Sequence, residues 1–273
     1  MKENGIGPGQ IIRRKQDGSL AYDRDELTIE EPLEIRIGSK TVATTMRTPG
    51  HDEELAAGFL LAEAIVRTAD KIGKLSRPKT ARNRENIIVV DLAGGKKPKL
   101  NAARRFGTIS SSCGLCGKES IDAIRQNFPP VKSASLRIEV ATLLSLPDKL
   151  RASQTDFART GGIHAAAIFD ANGKTLVVRE DIGRHNAVDK AIGRALLDRK
   201  LPLDRQLLLV SGRASFEIMQ KALAAGIPIV ASVSAPSSLA MKFARESNQT
   251  LVGFLRPPSF NIYSHVERVI LEH

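Results

Sequence analysis

The chain has no tryptophan and only two tyrosines and two cysteines in 273 residues, with aromatic residues at 4%. So few aromatic faces leave little for base stacking, which weakens the nucleic-acid reading that a formal charge of +11 would otherwise invite. The basic residues are scattered rather than gathered in one block, so a phosphorylated small molecule or an acidic protein partner satisfies the same field. No run approaches the ~20 apolar residues of a membrane span. The stretch Met1–Leu20 is polar, with Gly5, Gly7, Pro8 and Gly9, and lacks the apolar segment of a secretion signal. Two cysteines without a disulfide framework fit a reducing cytoplasm. At 42% hydrophobic content the chain is globular, long enough for a substantial core, and packed mainly with aliphatic side chains.

All of the cysteine sits in one place, Cys113 and Cys116, within Ser110-Ser111-Ser112-Cys113-Gly114-Leu115-Cys116-Gly117-Lys118. Any thiol chemistry must happen there. A thiolate is the reactive form, and its pKa falls in a CxxC pair, beside a cation such as Lys118, or at a helix N-terminus. A helix is expected from Gly117 to Phe128, with Ile121, Ile124 and Phe128 on one stripe and Pro129-Pro130 ending it. A structural zinc site needs a second half, and no two of His51, His164, His185, His265 and His273 have the spacing of a paired histidine half-site, so no zinc is expected. A thioredoxin-like dithiol would follow a strand directly, whereas Arg104–Ile109 is at best a short strand and three serines intervene. An ordinary loop with incidental cysteines is the plainer alternative. Against it stand the concentration of both thiols in one loop and the freedom given by Gly114 and Gly117, which suit sulfur or electron transfer.

Periodicity places a hairpin over Leu33–Ile37 and Thr41–Met46, turning at Gly38-Ser39, then a helix over Asp52–Val66 whose first-turn acids Asp52, Glu53 and Glu54 complement the helix dipole. Arg67–Glu85 reads as polar and basic, with Arg77–Arg84 a solvated surface, and Asn86–Asp91 as a strand. The second half alternates more regularly. Strands are expected at Ile163–Phe169, Thr175–Arg179, Gln206–Val210, Ile227–Val233 and Thr250–Leu255, the first two joined by a turn at Asp170–Gly173. Helices are expected at Asn186–Leu197, Ala214–Ala225 and Ser237–Arg245. Strands separated by single helices predict a parallel or mixed sheet covered on both faces. Pro129-Pro130 and Pro147 put a boundary between Phe128 and Arg151, giving an N-terminal α+β unit over residues 1–130 and an α/β domain over 131–273.

In such a sheet ligands bind at the carboxyl ends of the strands, where loops feed helix N-termini. Three loops there, Arg179–Asn186, Ser211–Ser215 and Ser234–Ser238, combine small or hydroxyl residues with exposed amides, and two add arginine. Serine and aspartate cap helices without any ligand, so each loop alone says little. Three on one rim, followed by Arg256, favour an anionic ligand, with His185 and Arg213 as candidate contacts. The element order resembles the cytidine deaminase-like three-layer α-β-α fold. Zinc deaminases carry H-x-E and P-C-x-x-C at their helix starts, whereas this chain has His185-Asn186-Ala187 and Gly212-Arg213-Ala214-Ser215, which excludes deaminase chemistry.

The motifs Glu31–Ile35, Thr45–Gly50, Glu54–Leu60, Ser112–Gly117, Thr160–His164, Glu180–Lys190 and Leu251–Phe254 resemble the FdhD/NarQ family, in family order from Glu31 to Tyr263. The resemblance implies a sulfur carrier protein required for formate dehydrogenase. A cysteine desulfurase would load sulfur as a persulfide on Cys113, with Cys116 as companion. The sulfur would pass to the bis-molybdopterin guanine dinucleotide molybdenum cofactor, bound as cargo, before its insertion into the formate dehydrogenase catalytic subunit. The family's cofactor-binding segment maps onto Phe254, Leu255, Arg256, Pro257, Pro258 and Ser259. A cytoplasmic protein without membrane or nucleic-acid partners is implied, and a homodimer is common for such domains. A cofactor-binding chaperone with incidental cysteines and a CxxC dithiol reductase remain the alternatives.

Overall fold

The computed structural model describes residues 5–95, 127–132 and 136–271. The Cys113–Cys116 loop, the strand expected at Arg104–Ile109 and all but the end of the helix expected over Gly117–Phe128 lie outside the described residues. Strands β1 (Ile6–Arg14) and β2 (Leu20–Thr28) form a separate antiparallel hairpin, in a stretch whose glycine and charge give no apolar alternation. Its turn is local chemistry: Asp17 accepts hydrogen bonds from the backbone and hydroxyl of Ser19, and Gly18 takes a φ of 86°.

β3 (Glu31–Ile37) and β4 (Lys40–Arg47) form the expected hairpin, with Leu33, Ile35 and Ile37 buried on one face of β3 and Glu34 and Arg36 pairing on the other. The following helix α1 runs only from Asp52 to Ala62, four residues short of the expected end, where Ala64 takes a positive φ. Its acids do more than face a dipole. Asp52 binds Arg47 and Arg77, and Glu54 binds Arg179, so Arg77 is an ion-pair partner rather than part of a solvated basic surface. Within the stretch read as polar and basic, where no strand was expected, lies β5 (Ile72–Ser76), which pairs with β6 (Ile87–Leu92) to complete a four-stranded sheet of order β4-β3-β6-β5.

The stretch expected to be an interrupted boundary is instead β7 (Ile138–Glu139) followed by a continuous helix α2 (Val140–Ser153) with Pro147 inside it, and then the short helix α3 (Thr155–Thr160). Apolar Leu143, Leu146 and Leu150 hold α2 on the sheet, and that burial outweighs the one backbone hydrogen bond a mid-helix proline removes. The second sheet then follows the predicted alternation: β8 (His164–Asp170), β9 (Thr175–Asp181), α4 (Arg184–Leu197), β10 (Gln206–Val210), α5 (Phe216–Ala224), β11 (Ile229–Ser232), α6 (Ser238–Glu246) and β12 (Thr250–Arg256). β13 (Ser259–Ser264), not expected from its mixed pattern, adds an antiparallel edge, and β14 (Val269–Ile270) pairs with β7.

The six-stranded sheet has order β13-β12-β11-β10-β8-β9, with β10, β11 and β12 parallel and β8 antiparallel to both β10 and β9. One face, with Ala166, Ile168, Leu208, Val210, Val230 and Leu251, shares a core with α1, α4, α5, α6 and the four-stranded sheet. The other, with Ala165, Ala167, Phe169, Leu207, Leu209 and Ile229, packs on α2. Among the described residues, no helix is long and apolar enough to cross a membrane.

Candidate functional site

β9 through β12, all but β8 between them running one way, end at Asp181, Val210, Ser232 and Arg256, on the edge where antiparallel β8 begins with His164. The three loops expected to gather on one rim therefore do so. Their hydroxyls divide by role. Ser237 caps α6, accepting from the Ala240 amide, and Ser232 ties neighbouring loops by donating to the Gly212 carbonyl, so these need no ligand. Ser215 starts α5 without capping it, and its Oγ lies 2.9 Å from His185 Nε2.

His185 is therefore a rim residue, but a largely buried one. Its Nδ1 lies 3.4 Å from Glu217, which in turn pairs with Lys221. Burial pushes the imidazole pKa down to about 4, helped by Lys221, Arg184 and His164 and opposed by Glu217, so it is neutral at pH 7. His164 is shifted the same way, by burial first and then by Arg184, with Arg213 adding to it. Arg213 itself is exposed, on the loop between β10 and α5. A pair of neutral imidazoles backed by arginines can donate to an anion or accept from a ring without needing a counter-charge.

The segment after β12 makes a tight return. Arg256 pairs with Ser259 across Pro257-Pro258, and Phe254 takes a φ of 51° with its amide bonded to the Ser234 carbonyl. Arg256 donates from Nε to the Val233 carbonyl at 2.8 Å, which fixes the base of an exposed guanidinium. Phe254, Arg256, Pro257, Pro258 and Ser259 are exposed, whereas the Leu255 side chain is wholly in the core and can offer a ligand only its backbone. Arg256 thus stands at the β11–β12 end of the rim, and His185 and Arg213 stand at the β9–β10 end.

Two motifs quoted above without individual roles meet beside this rim. Asp181 is fully buried, accepting from the amides of Thr48 and Gly183 and from Asn186, and its carboxylate lies 2.7 Å from Lys190. Asn186 also donates to the Met46 carbonyl, Lys190 donates to the Thr48 carbonyl, and Thr48 Oγ1 accepts from Ile182. The Thr45–Gly50 turn and the Asp181–Lys190 turn are thus one hydrogen-bonded unit, which aims Arg184 and His185. The signal was present in the sequence. Asn186, Asp189 and Lys190 are polar residues at i, i+3 and i+4 on a helix whose other buried positions are apolar or glycine.

The described residues thus form an α/β protein with a polar, partly cationic rim at the strand ends of its six-stranded sheet. The FdhD/NarQ family profile matches residues 28–270, and the chain belongs to that family. It is 50% identical over 272 residues to the sulfur carrier protein FdhD of Streptomyces avermitilis, covering 95% of this chain and 94% of that one. The sulfur carrier protein FdhD of Sulfolobus acidocaldarius is 43% identical, covering 95% and 97%. A crystal structure from Desulfotalea psychrophila, provisionally assigned as a formate dehydrogenase accessory protein, superposes with a TM-score of 0.78 at 25% identity, covering 98% of this chain and 100% of that one.

Proposed function

We propose that this protein is a cytoplasmic sulfur carrier for formate dehydrogenase, with Cys113 as the carrier thiol and Cys116 as its companion. The observation that carries the reading is that a member of the FdhD/NarQ family holds its whole thiol supply in one Cys-Gly-Leu-Cys segment. The Cys113 thiolate attacks the terminal sulfur of a cysteine desulfurase persulfide. A new S–S bond forms on Cys113, the old one breaks, and the desulfurase thiolate leaves, with no net oxidation. The names of the relatives, sulfur carrier protein, support this role. The scaffold we take to be deaminase-like, reused without its zinc ligands.

The acceptor in this reading is the bis-molybdopterin guanine dinucleotide cofactor, held as cargo on the rim with its phosphates toward Arg256 and the Phe254–Ser259 segment, and with His185 and Arg213 at the other end. Delivery is to the formate dehydrogenase catalytic subunit, with the carrier acting as a homodimer. Intact mass after incubation with a desulfurase and free cysteine tests the first step. One added sulfur, absent from Cys113→Ala, is expected, and loading that survives that substitution would sink the assignment.

A further inference from the structure

The hairpin β1–β2 lies outside both hydrophobic cores, and the family profile begins at residue 28, where β2 ends. It is an appendage to the matched core. Register sorts its side chains onto two faces: one carries Ile12 opposite Tyr22, Arg14 opposite Leu20 and Gln10 opposite Arg24, and the other carries Arg13, Asp23 and Asp25. The second face is satisfied internally, because Arg13 pairs with both aspartates. The first is not. Its base is covered by α3, where Arg159 pairs with Glu26 and the Thr28 hydroxyl donates to Thr160. Beyond that point Ile12, Leu20 and Tyr22 are 60%, 70% and 91% exposed, and among the described residues neither Arg14 nor Arg24 has a carboxylate partner.

Two strands alone are marginal in water and gain stability when a helix packs on them. α3 does so for the base only. The rest of the face has the composition of an interface core, with tyrosine and arginine around aliphatic side chains. Its layout is specific. Leu20, Tyr22 and Ile12 form an apolar centre with one guanidinium at each end, Arg14 and Arg24, on opposite strands and about 14 Å apart along them. A second copy of this chain fits poorly, because face to face it would gather four guanidiniums and no free carboxylate, Glu26 being held by Arg159. We infer that the outer half of this face docks an acidic amphipathic helix of a partner protein, with its apolar stripe over Ile12, Leu20 and Tyr22 and a carboxylate at each end on Arg14 and Arg24.

The inference rests on the hairpin alone and not on the carrier role of Cys113. The probe is a synthetic helical peptide with an apolar stripe at i, i+3, i+4 and i+7 between glutamates set about nine residues apart, which spans about 14 Å of helix. Titrated into the full chain, it should bind with a Kd below about 1 mM, slow amide exchange within Ile6–Thr28, and weaken as salt rises. The same peptide with lysines for the glutamates should not bind. The double variant Arg14→Glu, Arg24→Glu should reverse that choice, and Tyr22→Ser should weaken the acidic peptide at least tenfold with the charges intact. The charge reversal alters only exposed, unpaired side chains, so it decides the matter if amide exchange shows that Tyr22→Ser loosens the strands. No binding of the acidic peptide at about 1 mM overturns the inference, as does binding that protects amides only outside the hairpin or that survives the charge reversal. A chain that sediments as a dimer and becomes monomeric in Tyr22→Ser would give the face to a second copy and likewise overturn it.

Discussion

The ammonium of Lys190 lies 2.7 Å from the carboxylate of Asp181, and neither side chain reaches solvent. The remaining polar groups are also partnered: Asp181 accepts from Thr48, Gly183 and Asn186, and Lys190 donates to the Thr48 and Glu180 carbonyls. Removing one partner leaves an uncompensated buried charge, which costs about 3–5 kcal/mol. Lys190→Met should therefore lower the melting temperature by on the order of 10 °C for a chain of this size. The double variant Asp181→Asn, Lys190→Met should recover much of that loss, and a double variant no more stable than Lys190→Met would refute the pairing.

A second relationship joins the halves without charge. A Cβ on Gly58 of α1 would lie 2.0 Å from the Asp189 carbonyl oxygen, and one on Gly193 of α4 would lie 1.8 Å from that of Glu54. The helices touch backbone to backbone. Helix propensity alone makes Gly→Ala favourable by about 1 kcal/mol. Here the methyl meets rigid backbone rather than a movable side chain, and overpacking costs about 1–3 kcal/mol or more. Gly58→Ala and Gly193→Ala should each be net destabilising in urea unfolding, and a gain in stability from either would contradict the close crossing.

Stability should also fall in acid in a definite window. Burial alone would raise the Glu54 pKa, but hydrogen bonds from Arg179 and then His51 outweigh it and hold the carboxyl down from 4.5 to about 2. The unfolded chain binds that proton near 4.5 and the folded chain only near 2, so the contribution is complete above pH 4.5 and is lost as pH falls through about 2. It is on the order of 3 kcal/mol. Glu54→Gln should lower stability at pH 6 and flatten the decline between pH 4.5 and 2, read from urea midpoints. An unchanged slope would mean that the pair contributes nothing.

The alternating second half was legible because buried strands such as Leu207–Val210 and helix stripes such as Ala187, Val188, Ala191 carry their period openly. The hairpin Ile6–Thr28 was not, because it lies outside both cores and its register rests on backbone pairing and the Asp17–Gly18 turn. α2 was hidden by Pro147, whose local penalty is overridden by Leu143, Leu146 and Leu150 against the sheet, a tertiary effect that no window reveals. For the site, residue types marked the loops, and the strand order implied that they share a rim. That Asp181 answers Thr48, 133 residues away, and that His185 sits buried against Ser215 depends on packing between distant segments, which motif reading alone does not supply.

The two cysteines should differ in consequence. If Cys113 carries the sulfur, Cys116→Ala should still load, with slower onward transfer, while Cys113→Ala should not load at all. Elemental analysis of protein purified without a metal-binding tag should find well under one zinc per chain. About one zinc per chain, lost in Cys113→Ala, would refute the carrier reading in favour of a metal site.

Arg256 gives the sharpest test of the rim. Its Nε is committed to the Val233 carbonyl at 2.8 Å, so the guanidinium is anchored at its base while the residue remains exposed. A guanidinium fixed in this way loses less entropy on binding a phosphate than a free one. Charge-assisted hydrogen bonds are worth about 1.5–3 kcal/mol, so Arg256→Ala should weaken guanosine diphosphate binding roughly tenfold to a hundredfold. Arg256→Lys keeps the charge but not the fork, and should fall between the two. Calorimetry at two salt concentrations separates this from the general field of the basic chain, because only the latter part of the affinity should fade as salt rises. Equal binding of guanosine and adenosine diphosphates, unaffected by either substitution, would leave the positive charge to protein partners and remove the nucleotide from this part of the rim.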